Sequence, residues 1–242
     1  VWFLLVLLVC AEGRAHAGEC SVIPGGVESL GHVDAVDRLH FIQGELRHAA
    51  RRARMWTWGW VMGLGVLSGA QLALLPGYPE SKHVDLYVGS GTAFVGMLGV
   101  MELPMKVMGD QRRLDAEVKN APATADPCAL LADAERLLLR DAKDEAPKSR
   151  ILIHVGNILI NTGAGLILGL AFHHWTAAFI NGVAGIAIGE ALVLTRPMGA
   201  VDSLTRYRLG DLGAVRKPPA VAWGLGMQLD HDHYIGRVTL SF

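Results

Sequence analysis

The sequence lacks every short motif that would announce enzyme chemistry. It has no Walker loop, no dinucleotide fingerprint, no G-x-S-x-G elbow, no HExxH and no CxxC. Phosphate cradles, elbow nucleophiles and two-histidine zinc helices are thus missing in their recognisable forms. Charge is scarce: Asp, Glu, Lys and Arg make up 19% of the 242 residues against 51% apolar, and the formal net charge is −1. Basic residues are matched by acidic ones except around Arg47–Arg54, which leaves no broad face for nucleic acid. No catalytic residue and no cofactor is expected.

What the sequence has instead is long apolar runs rich in glycine. Ile151 to Phe172 contains no charge, and a second run extends from Trp175 to the brake at Thr195-Arg196-Pro197. At about 1.5 Å per residue each covers roughly 30 Å, the hydrocarbon thickness of a bilayer. Only His173-His174 separates them, so 151–197 reads as a membrane helical hairpin. An earlier hairpin is expected over 55–108, with one span from Met55 to Leu75 and another from His83 to Met108. Pro76, Gly77 and Pro79 break the chain between them. Trp56, Trp58 and Trp60 fit an interfacial aromatic belt, and Gly59/Gly63 and Gly65/Gly69 give small-xxx-small spacings for close helix approach. Setting Pro104-Met105 on Pro197-Met198 brings Gly89 onto Gly182 and Gly96 onto Gly189 without a gap, a pattern expected of tandem hairpins.

The flanking segments complete an expected all-α membrane protein. Residues 1–17 read as a secretory signal, with an h-region from Trp2 to Ala11 and Ala15-His16-Ala17 as the cleavage site. In 18–54, Val33, Val36, Leu39, Ile42, Leu46, Ala49 and Ala53 form one apolar helical stripe. With its basic last turns, this segment fits either the headgroup layer or a solvated helix packed on its neighbour, and the headgroup layer is preferred. Residues 109–150 form a polar helical excursion, with Asp126-Pro127 as a helix start and Leu130, Leu131, Ala134, Leu137 and Leu138 as its apolar face. Each hairpin thus follows an amphipathic helix. In the tail, 198–242, Ala220–Leu229 and Tyr234–Phe242 read as short strands of a β-hairpin. The closing aromatic resembles the last strand of an outer-membrane barrel, but one strand is no barrel and 151–172 lacks turn signals.

Removal of 1–17 leaves Cys20 and Cys128, an even pair in an exported chain and hence a disulfide candidate. Topology carries a conflict. Of the 22 Lys and Arg residues only Arg14 precedes Gly18 and only Lys82 lies in a hairpin tip. The positive-inside rule would put the side shared by both termini in the cytoplasm. The signal and the cysteine pair put it in the periplasm or exterior, and they are preferred.

Inside the spans, His154, Asn157 and Asn161 share a helix face, while Glu190 and Glu102 lie near the same end of their helices. Such a cluster could bind a cation or relay protons, since intramembrane ionisable groups are costly and usually paired. It could equally consist of amides tying helices together and carboxylates reaching headgroup water. His231 and His233 would face one way on a strand as two metal ligands. No third or fourth ligand is evident, and a solvated turn is the commoner meaning. The leading expectation is a non-enzymatic, oligomeric envelope component in contact with lipids, its own copies or other envelope proteins. A small transporter or channel using the Glu/His/Asn cluster comes second, and a membrane-embedded hydrolase third.

Overall fold

The computed structural model describes residues 20–102, 105–146, 151–213, 222–230 and 233–241. The secretory reading of 1–17 lies outside them, as do Pro104, Pro147, Pro218-Pro219 and His231. One compact unit ends at Asp211 and a second begins at Leu212. The first contains helices α1 (Ala35–Ala73), α2 (Glu80–Glu102), α3 (Val107–Asn120), α4 (Pro127–Glu145), α5 (Ile151–Leu166), α6 (Trp175–Leu194) and α7 (Gly199–Arg208). The second contains the antiparallel strands β1 (Ala222–Asp230) and β2 (His233–Ser241), paired in register from Ala222 with Ser241 to Asp230 with His233.

Four of these helical stretches are long and apolar enough to cross a membrane. Their outward residues are apolar: Leu152 is 81% exposed, Leu194 73%, Phe179 71% and Val66 66%. A water-soluble helix shows the opposite arrangement. The α1–α2 and α5–α6 pairs pack along their lengths, and α2 touches both α5 and α6. Inside, Val61, Leu64 and Val100 are buried among Trp56, Trp60, Met97, Ile188 and Leu192.

Helix α1 runs unbroken for 39 residues, about 58 Å, because no proline or turn cluster interrupts it. Asp34 starts it by accepting from the Val36 amide at 2.7 Å. Its first half was expected to lie on a headgroup layer, but the stripe Leu39, Ile42, Leu46, Ala49, Ala50 and Ala53 is buried. It packs on α3, α4 and α7, forming a polar cap on one end of the apolar layer. Trp58 is exposed, whereas the Trp56 and Trp60 indoles both donate to Thr195 Oγ1, at 3.1 and 3.2 Å, fastening α1 to the end of α6. Helix α2 is described as far as Glu102, and Met105 and Lys106 are not helical, so no unbroken span reaches the expected Met108. Helix α7, read from sequence as part of the tail, belongs to the cap.

Cys20 and Cys128 are bonded, with Cα atoms 5.4 Å apart. The Asp126 carboxylate caps α4 by accepting from the Cys128 amide at 2.9 Å, so the cap residue and the disulfide share one turn. Arg38, fully buried on α1, donates to the carbonyls of Cys20 and Ser21, to Glu135 and to the Tyr207 hydroxyl. One guanidinium thereby joins the N-terminal segment to α1, α4 and α7.

Candidate functional site

The polar residues of the apolar layer collect where α5 meets α6. The His154 ring nitrogen Nδ1 lies 2.6 Å from Glu190 Oε2. With Glu190 ionised, the carboxylate accepts and Nδ1 is the donor of this pair. Asn157 donates to the other Glu190 oxygen at 2.9 Å and to the Ile186 carbonyl at 3.1 Å. Asn161 donates one turn back, to the Asn157 backbone carbonyl and side-chain oxygen, at 2.9 and 2.8 Å. His154, Glu190, Asn157 and Asn161 are thus one bonded chain.

Glycines on α6 make room for it. A Cβ added at Gly185 would fall on the Asn161 amide, and one at Gly189 on the Asn157 amide. Asn181, Gly185 and Gly189 recur every four residues, so they form one face of α6, opposite the amides of α5. Beyond Asn161 this face opens into a cleft of about 190 Å³ shared with α1 and α2, whose polar lining adds Gln71, Thr92 and Asn181. Gly89 gives space there in the same way, since its Cβ would fall on the Gln71 amide and lie 2.9 Å from Asn181 Oδ1. Ser68 and Ser90, buried and 2.9 Å apart, add a further polar contact between α1 and α2.

A second histidine–carboxylate pair stands at the opposite end of the layer. His174, in the α5–α6 connection, places Nδ1 2.6 Å from Asp85 Oδ1 on α2. The His174 amide bonds the Leu168 carbonyl at 3.0 Å, and His173 before it takes φ 58°, which turns the chain sharply. Trp175 closes over Gly169. From His154 to His174 is 20 residues of chain, so the pairs are roughly 25–30 Å apart along the helices, about a hydrocarbon thickness.

The cap's ionisable groups are arranged differently, in compact clusters between helices. Glu45 binds Arg206 and Ser203, and Glu145 accepts from the Ala200 amide at 2.7 Å, capping α7 with a carboxylate from α4. Burial pushes the Glu145 carboxyl up against those amides and the charges of Arg196 and Arg52. Burial, with Glu135 as acceptor, also raises the Tyr207 phenol. Asp141 is fully buried, and burial together with neighbouring Asp110 pushes it up to about 9. Neither Asp141 oxygen has a donor among the described residues, so it keeps a proton and shares it with Asp110. Burial also works to raise Asp110, but bonds from Arg140 and Asp141 outweigh it and hold that carboxyl low.

Of the five polar residues expected together, four are in the bonded chain. Glu102 is exposed at the end of α2, and none of the chain's bonds reach it. His231 lies outside the described residues and His233 is described only as backbone of β2. Among the described residues, no three His, Cys, Asp or Glu side chains are placed to hold a metal. Sequence reading missed Asp85, His174, Gln71, Thr92 and Asn181. The four-residue spacing of Asn157-Asn161 against Asn181-Gly185-Gly189 was a usable signal for the α5–α6 face, whereas the Asp85 pairing depends on two hairpin tips meeting in space. Compared with protein-family models, curated proteins and solved structures, the chain matches none of them.

Proposed function

We propose that this chain is a small multi-pass transporter or channel that carries protons through its apolar layer, which sits in a cell-envelope membrane. The observation that carries this reading is the bonded chain His154–Glu190–Asn157–Asn161 leading into an amide-lined cleft, within helices whose outer faces are apolar. Ionisable groups at membrane depth are rare, face inward and mark ion or proton paths. The disulfide supports a cap on the oxidising side, periplasm or exterior, and hairpin tips toward the cytoplasm. A protease added outside cells should therefore cut within 109–150 and spare 76–83 and 173–174. Protection of 109–150 would reverse the orientation.

The test is reconstitution into phosphatidylcholine–phosphatidylglycerol vesicles holding a pH dye. The parent protein should dissipate an imposed pH gradient, and Glu190→Gln should slow it on the order of 10²-fold by removing a titratable relay group. Movement of an alkali cation without protons would change the cargo. No flux in the parent would end the transport reading.

A second reading, a structural or oligomeric envelope component, is favoured by the seating of Asn157 and Asn161 on Gly189 and Gly185. Interhelical amide bonds of this kind fasten helices. Gly59, Gly63 and Gly69 have nothing within 4 Å of an added Cβ, so their faces are open to lipid or to a second copy. Under this reading Glu190→Gln lowers thermal stability in detergent and no vesicle flux exists to be lost.

A further inference from the structure

We infer that Asp85 and His174 form the proton port on the hairpin-tip face, the counterpart of His154–Glu190 on the cap face. This rests on the proton-carrying reading above. Three observations converge on the pair. Its chemistry suits a port, because an imidazole with Nδ1 held 2.6 Å from a carboxylate can take a proton on Nε2 from water while releasing the Nδ1 proton to Asp85 Oδ1. One proton enters, one moves on, and the positive charge passes from water to the Asp85 carboxyl with no other reactant. Once Asp85 has passed its proton inward, a ring reorientation that turns Nδ1 to water lets Nδ1 take a proton as Nε2 releases one, which restores the starting tautomer.

Its position suits a port too. The His174 side chain keeps 24% of its surface exposed and Asp85 15%, so the imidazole is the wetter member. Asp85 stands one helical turn, about 6 Å, before Gly89. At Gly89 the side-chain oxygens of Gln71 and Asn181 converge at the lip of the cleft. Water in the cleft, held by these amides, can carry a proton from Asp85 toward Asn161 and on to Glu190.

The surroundings hold the pair without neutralising it. Lys82, the nearest cation on α2, is 4.0 Å from the other Asp85 oxygen and largely exposed. His83 is turned aside, its Nε2 2.9 Å from the Tyr78 carbonyl and its ring edge-on to Tyr87. His173 is exposed on the tip itself. The left-handed turn at His173 and the bond from the His174 amide to Leu168 fix the ring's approach. The pair joins α2 of the first hairpin to the tip of the second, so the port exists only when the hairpins are together.

Vesicle flux assays with Asp85→Asn, His174→Gln and Asp85→Glu decide the matter, using the full chain with pH varied separately on each face. Asp85→Asn and His174→Gln should slow flux on the order of 10²-fold and abolish its dependence on pH at the tip face. Dependence on pH at the cap face should persist in the residual flux, and Asp85→Glu should restore most of the rate. Melting in detergent, read alongside, separates a port from a mere fastener: a flux loss that only follows a loss of folded protein overturns the inference. If Glu190→Gln slows the parent flux while both tip variants conduct normally, the port is overturned and the transport reading survives. A parent that does not conduct overturns both.

Discussion

Helix α1 belongs to two regions that bury polar groups in opposite ways. In the cap, its outer face carries Arg47, Arg51 and Arg54 and its inner face Leu39, Ile42 and Leu46, with the buried cation Arg38 held by hydrogen bonds to Glu135 and Tyr207. In the apolar layer the outer face is Met55, Met62 and Val66, and polar groups sit inside, such as Ser68 on Ser90. The cap buries full charges in ion pairs at the centre of a helix cluster. The layer buries mostly amides, seated against glycine. Where water surrounds the helices, apolar contact holds them together and a few ion pairs select their arrangement. Where helices face hydrocarbon, that drive is absent and close contact with hydrogen bonds must serve instead.

The largest effect is expected in the cap. Arg38→Met removes the guanidinium that pairs with Glu135 and leaves a largely buried carboxylate without its cation. Breaking such a pair costs about 3–5 kcal/mol. Denaturant unfolding followed by tryptophan fluorescence checks this. A loss below about 1 kcal/mol would mean that Glu135 and Tyr207 satisfy each other and that the cap depends on apolar contact alone.

Removal of the disulfide should come next. The bond closes a separation of 108 residues, and its loss as Cys20→Ser/Cys128→Ser should cost about 2–5 kcal/mol. Thiol labelling of the denatured, non-reduced chain should find neither Cys20 nor Cys128 free. If the double variant melts with the parent, the Arg38 contacts to Cys20 and Ser21 are enough to hold the segment.

Glycine substitutions sharpen the comparison within the layer itself. Gly185→Leu drives a side chain into the Asn161 amide and should cost about 1–3 kcal/mol, because overpacking displaces a bonded group. Gly63→Leu meets nothing within 4 Å and should leave the monomer's stability in detergent unchanged. Light scattering should show lower oligomer order for Gly63→Leu if copies associate through α1. Equal losses in both variants would mean that the open α1 face is packed in the working protein.

These two regions were not equally legible in the sequence. The four apolar helices were, because a charge-free run of bilayer length permits few other structures. The Cys20–Cys128 bond was readable from the even pair, and His154, Asn157 and Asn161 from their spacing on one helix. Contacts between distant elements were not. Helix α7 has no capping side chain of its own; Glu145 of α4 supplies the carboxylate, so no local signal marks its start. The apolar stripe of 33–53 fits a headgroup layer or a helix bundle equally well, since periodicity states that a face is buried and not against what. Glu102 was grouped with Glu190 only by counting from the helix ends, and such a count does not say whether two side chains meet.

A final test concerns the buried Asp141 carboxyl, which keeps its proton inside the cap. Asp141 is pushed up to about 9 in the folded cap, while an unfolded carboxyl stays near about 3.9. Between these values the folded chain holds a proton that the unfolded chain has released. Stability from this group is therefore full below about pH 4, falls as pH rises toward 9 and levels off above it. Asp110 and Asp115, held low by Arg140 and Arg47, have the opposite sign: their contribution is present above the ordinary carboxylate range and lost in acid. Asp141→Asn keeps the size and can donate to Asp110 as the protonated acid does, without a charge to bury. It should flatten the fall between pH 4 and 9 and raise stability at pH 8 relative to the parent. Some slope should remain, because burial raises Glu145 as well. The difference between parent and variant unfolding curves across pH isolates Asp141 from the histidines common to both. Parallel curves would mean that Asp141 ionises freely in the folded cap, and that its buried carboxyl finds a donor as the other buried acids do.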